Sequence, residues 1–489
     1  MAFIFAAIAG ALTAFSLNHQ IWYLSILGIA LFLRTLENKQ RRRRLVVSFI
    51  FAAVYFLLHI QWISLLGFDV WLGLSLMCTL PWLLLAVPVL PNRGSAAILC
   101  PTSLVVVIEL IRSTVPWGGF PWGLLAYSQV DGPLVRLATL GGSSLVTGVV
   151  VALAATLNMF LRTWNWKHLL LPAALILATG RIPHVAPTGS IKVALIQGNV
   201  PRAGYTDKSQ ALAVAQNHLR LTAKYLASVA TGSEAKPDLV VWPESGTDID
   251  PIPAGDIHDE LTKLTNTGTI PILVGASTWN PQLSAPMNAG ILWEPDIGPT
   301  QMYVKNHLVP FGEYIPLRSY LSSVVGRLDQ IRNDFIPGST PGVFHVAQHK
   351  IGDVICFEVA YGDHIRRTIA QGAEVIAVQS NNATYMGTRQ PEQQFNITRF
   401  RAIEHQRAFV VASTSGISGI IDQNGKVISK TAEMTSAIVT GEVATITSRS
   451  ITDRFPYWVI VASLAYLALT LFSRRKHSNG HLPQYDELR

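Results

Sequence analysis

Ile191-Lys-Val-Ala-Leu-Ile-Gln-Gly-Asn199 is where the chain changes character. It is an apolar run closed by polar and turn-forming residues, the pattern of a buried strand. Strand-like runs recur downstream at 238–244, 271–277, 289–293, 301–309, 351–357, 374–380, 408–413 and 417–422. Helical periodicity appears near 208–230, 255–266, 360–372 and 391–406. Strands alternate with helices at first and then come in pairs. That order predicts a mixed sheet in a layered α/β domain, two sheets back to back with helices outside. Internal sequence repeats are not evident.

Upstream of Ile191 the chain is mostly apolar. Only 14% of its 489 residues are charged, and its mean hydropathy is positive, which places it among membrane proteins. Spans are expected at 2–16, 21–33, 45–65, 70–90, 96–114, 141–161, 168–180 and 456–473. No small-residue cleavage site leads from the first run into a soluble domain, so that run reads as an anchor. The net charge of +8 would suit nucleic acid or anionic lipid, but its placement favours a topological cause. Arg34, Lys39 and Arg41 to Arg44 lie between spans two and three, and Arg93 between four and five. Arg162 and Lys167 lie between six and seven, and Arg474, Arg475 and Lys476 follow the last. With eight spans all four groups share one side, which the positive-inside rule makes the cytoplasm. The expected organisation is a membrane domain over 1–185 with seven transmembrane helices and an extracytoplasmic catalytic domain over 191–450. A C-terminal transmembrane helix at 456–473 and a cytoplasmic polar tail at 474–489 follow.

Within the membrane domain, Pro116-Trp-Gly-Gly-Phe-Pro-Trp-Gly123 reads either as an interfacial aromatic belt or as the rim of a lipid entry path. Glu109 and Arg112 sit at a span end, where ionisable groups are costly; they are expected to snorkel or to pair with each other.

Three stretches carry the chemistry: Val240-Val-Trp-Pro-Glu244, Tyr303-Val-Lys305 leading to Pro310-Phe-Gly-Glu313, and Asp353-Val-Ile-Cys356-Phe-Glu358. Glu244, Lys305 and Cys356 each follow a β-like run, where layered α/β enzymes present functional groups. A thiol is a weak nucleophile until it loses its proton, and a nearby cation favours the thiolate. Lys305 can supply that field and stabilise an oxyanion. Glu244 can take the thiol proton and return it to a leaving group. The backbone N–H of Phe357 can complete an oxyanion hole. Taken singly, a strand-end Glu or Lys is usually a surface charge and a lone Cys is usually inert. Cys78 and Cys100 lie in apolar runs and read as small buried hydrophobes, so the three cysteines do not suggest a disulfide framework. No clustered ligand spacing points to a metal, and no cofactor motif is apparent.

These residues resemble the nitrilase (carbon–nitrogen hydrolase) superfamily. Gly119-Phe-Pro-Trp122, Tyr127-Ser-Gln-Val-Asp131-Gly-Pro and Gln197-Gly-Asn-Val-Pro201 narrow the likeness to its membrane-bound apolipoprotein N-acyltransferase family. The resemblance covers nearly the whole chain, excepting the tail from His477. It implies an αββα sandwich beside the multi-span helical domain, set in the bacterial cytoplasmic (inner) membrane. It also implies a ping-pong reaction. Cys356 takes an acyl chain from a phospholipid, typically phosphatidylethanolamine, as a thioester. The chain then passes to the α-amine of an apolipoprotein's diacylglyceryl cysteine. Glu244 is then the base, Lys305 the charge stabiliser, and Glu313 and Glu358 support the triad or orient the amine. The chain departs from the family at Gly204-Tyr205-Thr206-Asp207, where many members carry Trp, and at Asn381-Asn382-Ala383-Thr384, where many read Asn-Asp-Ala-Trp.

Two rival readings exist. A membrane-tethered nitrilase-type amidase acting on a small amide would need neither the spans nor an apolar lid. A non-catalytic lipoprotein-binding scaffold would not need the triad. Finally, Leu317, Tyr320, Leu321, Val324, Val325, Leu328 and Ile331 recur at helical spacing. They suggest that 317–335 is either a core helix or a lid dipping into the bilayer.

Overall fold

The computed structural model describes residues 1–37, 40–87, 90–91, 93–201, 207–316, 318 and 333–479. The chain divides into two compact units. One comprises Met1–Gln61, Phe68–Ile182 and Phe455–Arg489; the other comprises Trp62–Gly67 and Pro183–Arg454.

The first unit is helical. Among the described residues, four helices are long and apolar enough to cross a membrane: Ala2–His19, Phe68–Ala86, Ala96–Thr114 and Val135–Thr163. Trp22–Leu36, Trp166–Thr179 and Trp458–Phe472 are apolar but shorter, and Arg41–His59 opens on four arginines. The span expected at 45–65 is too long at its end. Its helix stops at His59, Gln61–Leu65 tighten into a 3₁₀ turn, and residues 62–67 belong to the second unit. Hydropathy read through that boundary because Trp62 and Ile63 are buried on either account.

Glu109 and Arg112 are both buried, which corrects the expectation that they snorkel, and both bind the loop that follows their helix. Arg112 Nη1 donates to the carbonyls of Phe120 and Trp122, each at 2.6 Å, and Nη2 donates to that of Gly123 at 3.0 Å. Glu109 accepts from Leu125 N–H at 2.8 Å and from Thr147 Oγ1–H at 2.6 Å. Irregular backbone inside an apolar layer survives only when its polar groups are satisfied, and this pair of side chains satisfies the loop that follows their helix. Phe120 and Trp122 are buried while Trp117 is exposed, so the aromatic-belt reading fails for two of the three rings. Gly119 has φ +73°, and a Cβ there would lie 2.2 Å from the Ser113 carbonyl carbon, so the turn tolerates no side chain.

The second unit is an αββα sandwich. Its strands are β1 (Gly189–Gln197), β2 (Leu239–Val241), β3 (Ile272–Asn280), β4 (Ala285–Glu294), β5 (Gly298–Val304), β6 (Gly342–Val346), β7 (His349–Ile355), β8 (Val375–Ser380), β9 (Ala408–Ser413), β10 (Gly419–Ile421), β11 (Val427–Lys430) and β12 (Ala437–Thr445). They form two six-stranded sheets, ordered β12-β1-β2-β3-β4-β5 and β11-β10-β9-β8-β7-β6. Alternation along β1 shows how the layers arise. Ile191, Val193 and Leu195 face the other sheet, against Ile351, Ile355, Val375, Ala377 and Val410. Ala194 and Ile196 face outward with Val240 and Trp242, onto Leu219, Leu226 and Leu261 of helices Asp207–Ala230 and Asp256–Gly268. Strands buried on both faces read as continuous apolar runs, which is why β1, β8 and β9 were visible.

Each sheet has the same grammar. From β12 to β5, and again from β6 to β11, successive pairs run antiparallel, parallel, parallel, antiparallel, antiparallel. This repetition of topology has no counterpart in sequence. Strands β6 and β12 were not read, because their apolar residues alternate with exposed or half-exposed ones, and β11 was not read because none of its four residues is buried. The run expected at 301–309 ends as a strand at Val304.

Replacing Arg112 with Met removes all three donors from the Phe120–Gly123 carbonyls. Each buried acceptor left unmet costs on the order of 1 kcal/mol or more. Thermal unfolding in detergent is expected to show a loss of about 3 kcal/mol. A variant unfolding within about 0.5 kcal/mol of the parent would contradict the clamp.

Candidate active site

Glu244, Lys305 and Cys356 come together at the ends of three strands. Glu244 follows β2 through Trp242-Pro243, Lys305 directly follows β5, and Cys356 directly follows β7. Lys305 is 1% exposed. Its backbone is held on both sides: its N–H donates to the Asn288 carbonyl and its own carbonyl accepts from Gly338 N–H, each at 2.9 Å. Its ammonium donates to Glu244 Oε1 at 2.9 Å and to Glu313 Oε1 at 3.0 Å. Burial alone would disfavour that charge. The carboxylates of Glu244 and Glu313, with Cys356 and Glu358 behind them, more than offset it and hold the ammonium well above the usual lysine range.

Asn288 was not singled out from sequence, yet it completes this arrangement. From the middle of β4 its Nδ2 donates to Glu244 Oε1 at 2.7 Å and to Glu313 Oε1 at 2.8 Å. The second oxygen of each carboxylate is also met. Glu244 Oε2 accepts from Asn381 N–H at 2.9 Å, and Glu313 Oε2 from Val309 N–H at 2.7 Å. A buried asparagine inside an otherwise apolar strand was the available signal.

Cys356 has φ +55°, a left-handed conformation that is costly for a residue with a Cβ. It forms a sharp corner between β7 and the 3₁₀ turn Cys356–Ala360. Its thiol is partly buried, and Gln394 Nε2 approaches Sγ at 3.8 Å. Burial and then the Glu244 charge push the thiol up, and the opposing pull of Lys305 is smaller. Loss of the thiol proton is thereby disfavoured, and the Lys305 field only partly offsets this.

Glu358 is fully buried and bonded entirely to the scaffold. It accepts from Tyr303 O–H at 2.8 and 2.9 Å, from Asn306 N–H at 2.7 Å, from His307 N–H at 2.9 Å and from Ile355 N–H at 2.8 Å. Burial raises its carboxyl, although the backbone donors oppose the shift. It thus ties the chain after Lys305 to the chain before Cys356. Phe357 occupies the turn after the cysteine, its ring edge-on to Tyr361 at 5.4 Å. Among the described residues no cluster of three or more His, Cys, Asp or Glu could hold a metal ion.

The segment 317–335 lies outside the described residues, apart from Arg318 and 333–335. At its ends Arg318 pairs with Asp334, and Phe335 N–H donates to the Glu313 carbonyl at 2.9 Å. Gly204, Tyr205 and Thr206 are also outside the described residues, while Asp207 opens a helix. Asn381 contributes its backbone to Glu244. Asn382 joins Gln390 and Gln394 in a buried amide set, at 2.9 and 2.8 Å.

The arrangement offers a carboxylate base, a fixed ammonium and a cornered thiol, held by neutral amides. It suits acyl transfer through a thioester or hydrolysis by the same route.

Comparison with known proteins separates the chain into the same two kinds of sequence. Residues 9–156 match the apolipoprotein N-acyltransferase N-terminal domain, and residues 192–451 match the carbon-nitrogen hydrolase family. An apolipoprotein N-acyltransferase of Mycolicibacterium smegmatis is 36% identical over 334 residues, covering 63% of this chain and 56% of that protein. An apolipoprotein N-acyltransferase of Vibrio vulnificus is 24% identical over 97% of each chain. Among solved structures, Saccharomyces cerevisiae Nit3, a member of branch 10 of the nitrilase superfamily, matches with TM-score 0.40 and 18% identity over 54% of this chain and 93% of its own. With more than half of its length matched by that family, the chain belongs to the carbon–nitrogen hydrolases, and it carries the apolipoprotein N-acyltransferase N-terminal domain ahead of the hydrolase domain.

Proposed function

We propose that this protein is an apolipoprotein N-acyltransferase that moves a fatty acyl chain from a phospholipid to the amino-terminal diacylglyceryl cysteine of apolipoproteins. The observation that carries the reading is one buried ammonium bonded to two carboxylates beside a cornered thiol, in a chain that also bears the N-acyltransferase N-terminal domain. In the first half-reaction Cys356 Sγ attacks the ester carbonyl while Glu244 takes the thiol proton. Lys305, with the N–H of Phe357, stabilises the oxyanion. The C–O bond breaks, and Glu244 returns the proton to the leaving lysophospholipid oxygen. In the second half the α-amine attacks the thioester and yields its proton through Glu244. The C–S bond breaks and the thiol is restored. Glu313 and Asn288 hold Lys305 and Glu244 in register throughout, and Glu358 fixes the two chain segments that carry Lys305 and Cys356.

The donor is phosphatidylethanolamine, by the family resemblance. The seven N-terminal helices and the last one hold the enzyme in the bacterial inner membrane, with the catalytic domain outside the cytoplasm, as the Lys and Arg placement supports. The alternative of a tethered amidase shares the triad but leaves the N-terminal domain without a use.

Incubation with acyl-labelled phospholipid tests this reading. The wild-type protein is expected to acquire a hydroxylamine-sensitive label and the Cys356→Ala variant none. A label of equal yield in Cys356→Ala would overturn it.

The role of Glu244 has a separate signature. Its charge raises the Cys356 thiol, whereas Lys305 lowers it. Glu244→Gln removes the raising charge, so the thiolate forms at lower pH. Alkylation of Cys356 by iodoacetamide at pH 8 is then expected to quicken severalfold, while acyl transfer falls by about 10²-fold or more. Alkylation and transfer falling together would contradict the assignment.

A further inference from the structure

Asp353 lies three residues before Cys356 on β7, and the mechanism above does not use it. By strand alternation its side chain shares the inward face of Ile351 and Ile355, within the apolar layer between the sheets. It is fully buried, and among the described residues neither of its oxygens makes a well-formed hydrogen bond, the backbone N–H of Val354 being the donor near enough to act on it. A second unmet acceptor lies beside it. Gln379, on the inward face of β8, donates from Nε2 across the layer to the Trp242 carbonyl at 2.7 Å, but its Oε1 has no donor. Both acceptors lie near one point, the place that a side chain on Gly290 of β4 would occupy. A Cβ on Gly290 would sit 2.0 Å from Asp353 Oδ2 and 2.8 Å from Gln379 Oε1. The missing side chain leaves room for both oxygens on that side of β4.

Two acceptors facing each other in an apolar layer are repulsive if the acid is ionised. They attract if it carries a proton, since a carboxylic acid is then a donor. Burial, followed by the charge of Glu358 and, less strongly, that of Glu244, holds the Asp353 carboxyl well above the usual aspartate range, against the smaller pull of the Val354 backbone N–H. An apolar site can keep a carboxylic acid neutral so that it donates a hydrogen bond.

We propose that Asp353 is a neutral acid donating its proton to Gln379 Oε1, forming a strut from the Cys356 strand, through Gln379, to the Trp242 carbonyl that precedes Glu244. Asp353 is thus a positioning residue: it touches no reacting atom, but it sets the thiol against its base across the two sheets. This rests on the assignment of Cys356 as nucleophile and Glu244 as base, although the protonation state does not.

Infrared difference spectroscopy of the full-length protein in detergent, wild type against Asp353→Asn, tests the protonation directly. The expected result is a protonated-carboxyl stretch at neutral pH that is present in wild type and absent from Asp353→Asn. Bands of an ionised carboxylate in its place would overturn the proposal. The strut is tested by rates. Asp353→Asn keeps a donor for Gln379 and is expected to retain acyl transfer within about threefold. Asp353→Leu keeps the volume but not the donor, and is expected to lose about tenfold or more in kcat with KM for the acceptor held. Asp353→Asn as impaired as Asp353→Leu, or Asp353→Leu as active as wild type, would overturn it. Failure of acyl transfer in wild type, with the infrared band still present, would instead implicate the functional reading.

Discussion

The site depends on one arrangement of charge: the Lys305 ammonium buried between Glu244 and Glu313, at 2.9 and 3.0 Å. A buried ammonium is tolerable only when paired, and removing one partner leaves an uncompensated charge. Here the balance runs the other way, with two carboxylates for one cation. Asn288 relieves the excess by donating to both, and the backbone of Asn381 and Val309 meets the outer oxygens. Burial first, and then the Glu244 charge, raise the neighbouring Cys356 thiol, and Lys305 opposes them less strongly.

The geometry around this charge set is held by strain and by ties. Cys356 adopts a left-handed backbone conformation that an L residue keeps only when its surroundings over-determine it. Glu358 provides that constraint, binding the N–H groups of Ile355, Asn306 and His307. The corner bearing the thiol and the segment after the lysine are thereby fastened to one buried carboxyl. The proposed Asp353–Gln379 strut would do the same between the thiol's strand and the base.

Much of this was legible in the chain. Buried strands such as Ile191–Gln197 and Val375–Ser380 announce themselves as apolar runs, and Glu244, Lys305 and Cys356 stood out as reactive groups at the ends of such runs. What stayed hidden has physical causes. Edge strand β12 mixes Thr and Glu with its apolar residues because one side of it meets solvent. Asn288, Gln379 and Gln394 lie mid-element, where only burial reveals that a polar side chain has work to do. Arg112 looked like a span-end charge. Its partners are carbonyls of the next loop, and backbone acceptors leave no trace in sequence. The direction of the thiol's shift was also out of reach, since it rests first on burial and then on the nearness of Glu244.

The central claim is that Cys356 carries the acyl chain between two separate half-reactions governed by this charge set. A single-turnover chase tests it most directly. Enzyme exposed to phospholipid is freed of donor, then mixed with a peptide bearing an N-terminal diacylglyceryl cysteine. The account predicts one N-acylated peptide per acylated Cys356, with the thioester disappearing at the same rate. Product that forms only when phospholipid is present together with the peptide would contradict it.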